Sequence, residues 1–328
     1  MSDTPAPEDH GSDGGGHGGS TKAILAAMLA NIGIAIAKFV AFLVTGASSM
    51  LAESIHSVAD SGNQVLLLVG GRRATRAATP EHPFGFGRDR YIYAFIVAIV
   101  LFSVGGLFAI YEGVHKLQDP EELTSPAWAI GVLVVAIALE SFSLRTAVKE
   151  SNTVRKPGES WWGFIRHARA PELPVVLLED TGALVGLAFA LLGVGLSTAT
   201  GNGVYDGLGT VAIGVLLVVI AVVLAVETKS LLLGESATPD VRRQIVRALA
   251  AGDIELIHMR TQHLGPEELL VAAKIGVRHD ETAGAVAQAI DDAEARIRAA
   301  VPIARVIYLE PDIRRAPQPV ADATAPAG

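Results

Sequence analysis

Six stretches of the chain stay apolar long enough to fill a bilayer, and short polar segments separate them. They cover roughly residues 23–45, 48–71, 91–113, 126–148, 172–197 and 206–228. Each is near the roughly 20 helical residues that a hydrocarbon core demands. The last two are almost unbroken Leu, Val, Ala and Gly, while the second is interrupted by Glu53, His56, Asp60, Asn63 and Gln64. The pattern predicts six transmembrane helices within residues 21–232.

After Glu227-Thr-Lys the pattern changes to amphipathic spacing. Thr238, Pro239 and Asp240 read as an N-cap, a first-turn proline and a first-turn acid, opening a helix to about residue 250. Residues 254–263 and 268–278 read as strands, the second alternating Leu269, Val271, Ala273, Ile275 and Val277 on one face. Residues 282–300 return to helical spacing and 305–309 form a last strand. The order αββαβ predicts a small α+β domain over 235–312, near the lower size limit for independent stability, so pairing with a second copy would help it. Residues 1–20 and 313–328 are rich in Gly, Ser, Asp, Pro and Ala and are expected to be disordered tails.

Composition agrees with a membrane class: 50% of residues are hydrophobic and 18% charged, with a mean hydropathy of +0.42. The net charge of −8 comes with no basic cluster interleaved with aromatics, which excludes a nucleic-acid partner. The chain has no cysteine, so disulfides, thiolate zinc sites and iron–sulfur clusters are excluded. Any metal must be held by His, Asp, Glu and neutral oxygen or amide groups. No prosthetic group is implied. The N-terminus does not read as a signal peptide, an expectation compatible with a bacterial plasma membrane.

Charge also sets orientation. Arg72, Arg73, Arg76, Arg88 and Arg90 follow span two, and Lys149, Arg155, Lys156, Arg166 and Arg169 follow span four, whereas the opposite loops carry only Lys116. The excess predicts both termini in the cytoplasm.

Ionisable groups inside a span cost roughly 2.5–3.5 kcal/mol each and need a reason. His56 and Asp60 are four residues apart, so both leave one helix face, in chelating geometry. One face cannot enclose a cation, and Glu179-Asp180 in span five offers the partner, with Gly182 and Gly186 permitting close helix approach. The competing reading is an interhelical hydrogen-bonded pair with no metal. Lys38 could snorkel or neutralise a carboxylate, and Asn31 could bond a neighbouring helix or line the pathway. Glu53, a turn from His56, could be an exit or proton site, and Glu140 could serve the approach path or pair with Arg145.

The segments SSMLAESIHSVADSGNQ, HPFGFGRDRY, LLEDTGALVG and HMRTQHLGPEELLV together resemble the cation diffusion facilitator family, on the branch that includes zinc transporter 9-type proteins. The resemblance implies a six-helix homodimer with a metallochaperone-like cytosolic domain, exchanging Zn2+ or a similar ion for H+ by alternating access. In the family's zinc exporters the site is two residues four apart in span two and a His-x-x-x-Asp in span five. His56, Asp60 and Asp180 match, Val176 stands where the His would be, and Glu179 is an available substitute. The resemblance also marks His82 and His258 as accessory metal positions. Phe86, Ala273 and Tyr308 stand where further His ligands occur, and Glu310 replaces an Asp, so no full cytosolic zinc cluster is expected.

The functional expectation is therefore proton-coupled efflux of a divalent cation, Zn2+ first, rather than an enzyme. A Mn2+, Fe2+ or Co2+ exporter and a non-transporting metal sensor or scaffold are the alternatives. An intramembrane hydrolase fits poorly, because no His-Glu-x-x-His or equivalent nucleophile arrangement is present. An organic-cation exporter would favour an aromatic pocket, against 5% aromatic residues.

Overall fold

The computed structural model describes residues 17–252 and 254–313, with side chains described from residue 31 onward. The expected tail at 313–328 lies, but for its first residue, outside the described residues, as do residues 1–16. Helix α1 (His17–Thr45) begins inside the stretch expected to be a tail, a correction of four residues. A two-residue turn leads to α2 (Ser48–Ala74). Gly46 at φ +67° makes that reversal possible, and the Thr45 hydroxyl accepts from the Ala47 amide at 3.2 Å.

The third apolar stretch is one continuous rod of α3 (Asp89–Val100), a seven-residue π-helical segment (Leu101–Leu107) and α4 (Phe108–Gln118). Then come α5 (Pro126–Val154), the short α6 (Trp161–His167), α7 (Glu172–Thr200) and α8 (Val204–Leu233). Among the described residues, four helical segments are long and apolar enough to cross a membrane: Asp89–Gln118, Pro126–Val154, Glu172–Thr200 and Val204–Leu233. Helix α1 adds a shorter apolar run, Asn31–Thr45. Helix α2 falls short by composition, for a chemical reason: it carries the polar groups that the other helices enclose.

Helix α8 shows how such helices sort their faces. Ile213, Leu217, Ile220 and Leu224 are buried, while Val215, Val219, Val222 and Val226 on the other side are at least half exposed. A helix apolar all round suits a hydrocarbon solvent or the core of a large protein.

The chain divides into two compact units. Among the described residues, the first holds residues up to 67 together with 96–158 and 173–224, and the second residues 68–95, 159–172 and those from 225 onward. Within the first, the start of α2 is tied to the start of α8. Asp206, fully buried, accepts from the Ser48 amide at 2.7 Å, the Ser48 hydroxyl at 3.1 Å and the Ser49 hydroxyl. A carboxylate there answers both the orphan amides and the positive end of α2.

The second unit contains the expected αββαβ order: α9 (Pro239–Ala250), β1 (Glu255–Gly265), β2 (Glu268–Val277), α10 (Ala283–Ala300) and β3 (Val306–Ile313). Thr238 and Thr282 are the N-caps, but only the Thr282 side chain accepts a capping bond, from the Ala285 amide at 3.3 Å. The sheet order is β1-β2-β3, antiparallel then parallel. As the alternation requires, Leu269, Val271, Ala273 and Ile275 are buried, packed with Ile245 and Leu249 of α9, Ala293 and Ile297 of α10, and Ile307 and Leu309 of β3.

In this unit Arg90 pairs with Glu172 and, at 3.5 Å, with Glu267, while Arg169 pairs with Glu235. His263 is buried with Nδ1 3.3 Å from the Gly265 carbonyl oxygen. Burial first, then the Arg169 charge, hold its imidazole below the usual range. Its neutral form is therefore the folded form. The unfolded chain takes up the proton at a higher pH, so stability is complete above about pH 6.5 and is lost as pH falls below it, toward the folded value. Hydrogen exchange of β1 and β2 amides in the whole protein should become faster below that pH, and His263→Gln should flatten the dependence.

Candidate cation site

Helix α2 places His56, Asp60 and Asn63 along one face, at spacings of four and three. The His56 ring is 1% exposed and its Nε2 lies 3.4 Å from Asp60 Oδ2. Both ring nitrogens, Asp60 Oδ1 and Asn63 Oδ1 are buried without a hydrogen-bond partner. Leaving buried polar atoms unpartnered costs roughly 1–3 kcal/mol each, so a cluster of them on one face calls for a ligand that satisfies several together. A divalent cation does so.

Helix α7 supplies the facing carboxylates, and its two neighbours part ways. Glu179 is buried and accepts from Asn63 Nδ2 at 2.7 Å, which turns it toward α2. Asp180, partly buried, accepts from the Ser143 hydroxyl of α5 at 2.9 Å. The divergence of about 100° between adjacent helix positions separates them. Glu140 lies one turn before Ser143 on α5 and is partly buried. Val176, one turn before Asp180, is partly buried too.

The wall beside His56 comes from the π-helical segment. A Cβ on Gly105 would lie 3.2 Å from Leu217 Cδ1 and 3.9 Å from His56 Nδ1, so a glycine lets the rod pass close to the imidazole. Single π turns inside α-helices recur at functional positions. Among the described residues, no three His, Asp or Glu side chains are gathered tightly enough to hold a metal ion.

The accessory positions are elsewhere. His82 is exposed and lies against Phe86, the two rings tilted with centroids 4.7 Å apart, while the Arg76 guanidinium lies 4.8 Å over the same Phe86 ring. His258 is exposed on β1, in register with Lys274 of β2, whose ammonium is 3.1 Å from Glu310 and 3.3 Å from Asp312. Asn31 is partly buried on α1 and is not part of the cluster. Asn63, Ser143 and Gly105 are the site residues that sequence reasoning did not assign. Only Asn63 left a signal, seven residues after His56 on the same face.

Comparison with known proteins decides what these helices are. Residues 24–233 match the cation efflux transmembrane domain. The chain belongs to the cation efflux family. Within it, the chain sits on the zinc transporter 9-like branch: it is 34% identical over 232 residues to the human mitochondrial proton-coupled zinc antiporter SLC30A9, covering 70% of this chain and 41% of that protein. Metal tolerance protein C4 of Arabidopsis thaliana is 26% identical over 259 residues, covering 78% and 57%. The cation-efflux pump FieF of Serratia proteamaculans is 28% identical over 250 residues, covering 76% and 78%. The chain thus spans about two fifths of the length of its human antiporter relative. As a cation efflux protein it carries its buried His and carboxylates within the matched residues.

Proposed function

We propose that this protein exports a divalent metal ion, Zn2+ first, in exchange for protons. The observation that supports it best is the buried row His56, Asp60 and Asn63, rich in unpartnered lone pairs and facing Glu179. In this reading the chain crosses the membrane six times, through α1, α2, the α3–α4 rod, α5, α7 and α8. Both termini are cytoplasmic, following the arginines after α2 and α5, and two copies form the working unit in a bacterial plasma membrane. The protein resembles relatives described as a proton-coupled zinc antiporter and a cation-efflux pump, which favours transport over a sensor.

The cation approaches from the cytoplasm by Glu140, Ser143 and Asp180, sheds water, and binds His56, Asp60 and Glu179, with Asp180 as the neighbouring carboxylate. Protons compete for the same lone pairs, because a ligating imidazole must be neutral and a ligating carboxylate ionised. One site therefore both binds metal and couples it to protons. A second reading, export of Mn2+ or Fe2+, is favoured by the oxygen-rich donor set, with Val176 where zinc exporters of the family place an imidazole. Metal uptake by reconstituted vesicles under an imposed pH gradient tests both.

A further inference from the structure

One buried ion pair stands outside that site. Lys38 of α1 and Glu53 of α2 are both fully buried, with Lys38 Nζ 2.9 Å from Glu53 Oε2 and 2.9 Å from the Ser57 hydroxyl oxygen. Packing alone gives little reason for it, since a buried ion pair repays its desolvation poorly and apolar residues of similar volume are often as stable. The second carboxylate oxygen, Glu53 Oε1, is buried and has no partner. It points at Gly186 of α7, where a Cβ would come within 2.7 Å of it. The wall is cut away at the atom that is free to take a ligand.

Glu53 is three residues before His56, on neighbouring parts of one face and displaced toward the start of α2. In the orientation proposed above, that displacement is outward, along the path a released cation takes. We propose that Glu53 is a stepping site for the exported divalent cation and that the Lys38 ammonium is its resident occupant, displaced when the metal arrives. The ammonium has the right chemistry for this: it is a cation built into the chain, monovalent, and so outbid by a divalent ion at the same carboxylate. Ser57 completes the device. Its hydroxyl donates to the Glu53 carbonyl at 3.0 Å and accepts from Lys38, so the ammonium keeps a partner after Glu53 releases it. When the metal leaves, Lys38 closes on Glu53 again, which disfavours return of the ion from outside.

The inference rests on the transport reading, and one experiment separates the two. Zinc flux is measured in vesicles holding the full-length parent, Lys38→Met, and the double variant Lys38→Met/Glu53→Gln. The double variant has no buried charge left at this place, so it should insert and still bind zinc, but its turnover should fall by about tenfold. A folded double variant with the parent's turnover overturns the proposal. Lys38→Met alone supplies an independent reading: without its occupant, Glu53 should hold zinc longer, lowering KM and kcat together. A purely structural loss would reduce the amount of folded protein and leave KM in place, which also overturns it. Absence of zinc flux in the parent would instead refute zinc transport itself.

Discussion

Asp60→Asn should lower metal-driven transport by at least about a hundredfold while the protein still reaches the membrane, an effect of the size seen when one partner of a buried charged contact is removed. The substitution is nearly isosteric, so the packing around α2 survives. What is lost is a negative charge 3.4 Å from His56 Nε2, the anionic one of the two donors in this pair. A divalent ion entering a dry site gives up a hydration shell, and only a charge of opposite sign in contact with it compensates. The measurement is flux per inserted protein, with dimer content and detergent stability as controls. Transport within a few-fold of the parent would remove Asp60 from the ion's path.

Glu179→Gln should be the more damaging of the two α7 substitutions, exceeding Asp180→Asn by about tenfold in lost transport. Sequence matching points the other way, since Asp180 is the residue that coincides with the zinc-exporter pattern. The structure turns Glu179 toward α2, where Asn63 Nδ2 holds it at 2.7 Å, and turns Asp180 toward Ser143 of α5. A ligand completing the His56–Asp60 pair must come from the side facing α2. On the proposed reading Asp180 serves the approach, and its loss should raise KM more than it lowers kcat. Equal losses, or a greater loss from Asp180→Asn, would mean that α7 rotates on loading and presents its other face.

Much of this architecture was legible in the chain because lipid imposes length and apolarity, and because a sheet face imposes alternation. Residues 206–228 and the row Leu269, Val271, Ala273, Ile275 are cases where one solvent or one core dictates each position. Helix α2, counted as a span from residues 48–71, is the case that composition supports least. Its hydropathy is lowered by Glu53, His56, Asp60 and Asn63, so length and composition alone do not mark it as a span, and only its contacts show those groups turned inward. The His56–Asp60 pair was readable from spacing, since i and i+4 share a face in any helix. The different partners of Glu179 and Asp180 were not, because both fit an apolar helix equally until the rotation of α7 is known. The π-helical segment left no sequence signal beyond Gly105-Gly106, and its closeness to His56 depends on how the third rod packs. Lys38 was visible as an anomaly in an apolar stretch, but its partners, 15 and 19 residues away, appear only when α1 folds back on α2.

The most direct test of the central claim is metal-driven proton movement in vesicles reconstituted with the purified full-length protein, using zinc, manganese, iron and cobalt in turn under an imposed pH gradient. Addition of zinc should drive proton counterflow that saturates with metal, depends on the pH gradient, and disappears in Asp60→Asn. If no metal of the four moves protons through a folded, membrane-inserted parent, the row on α2 is a structural hydrogen-bonding cluster and the protein is not a metal–proton exchanger.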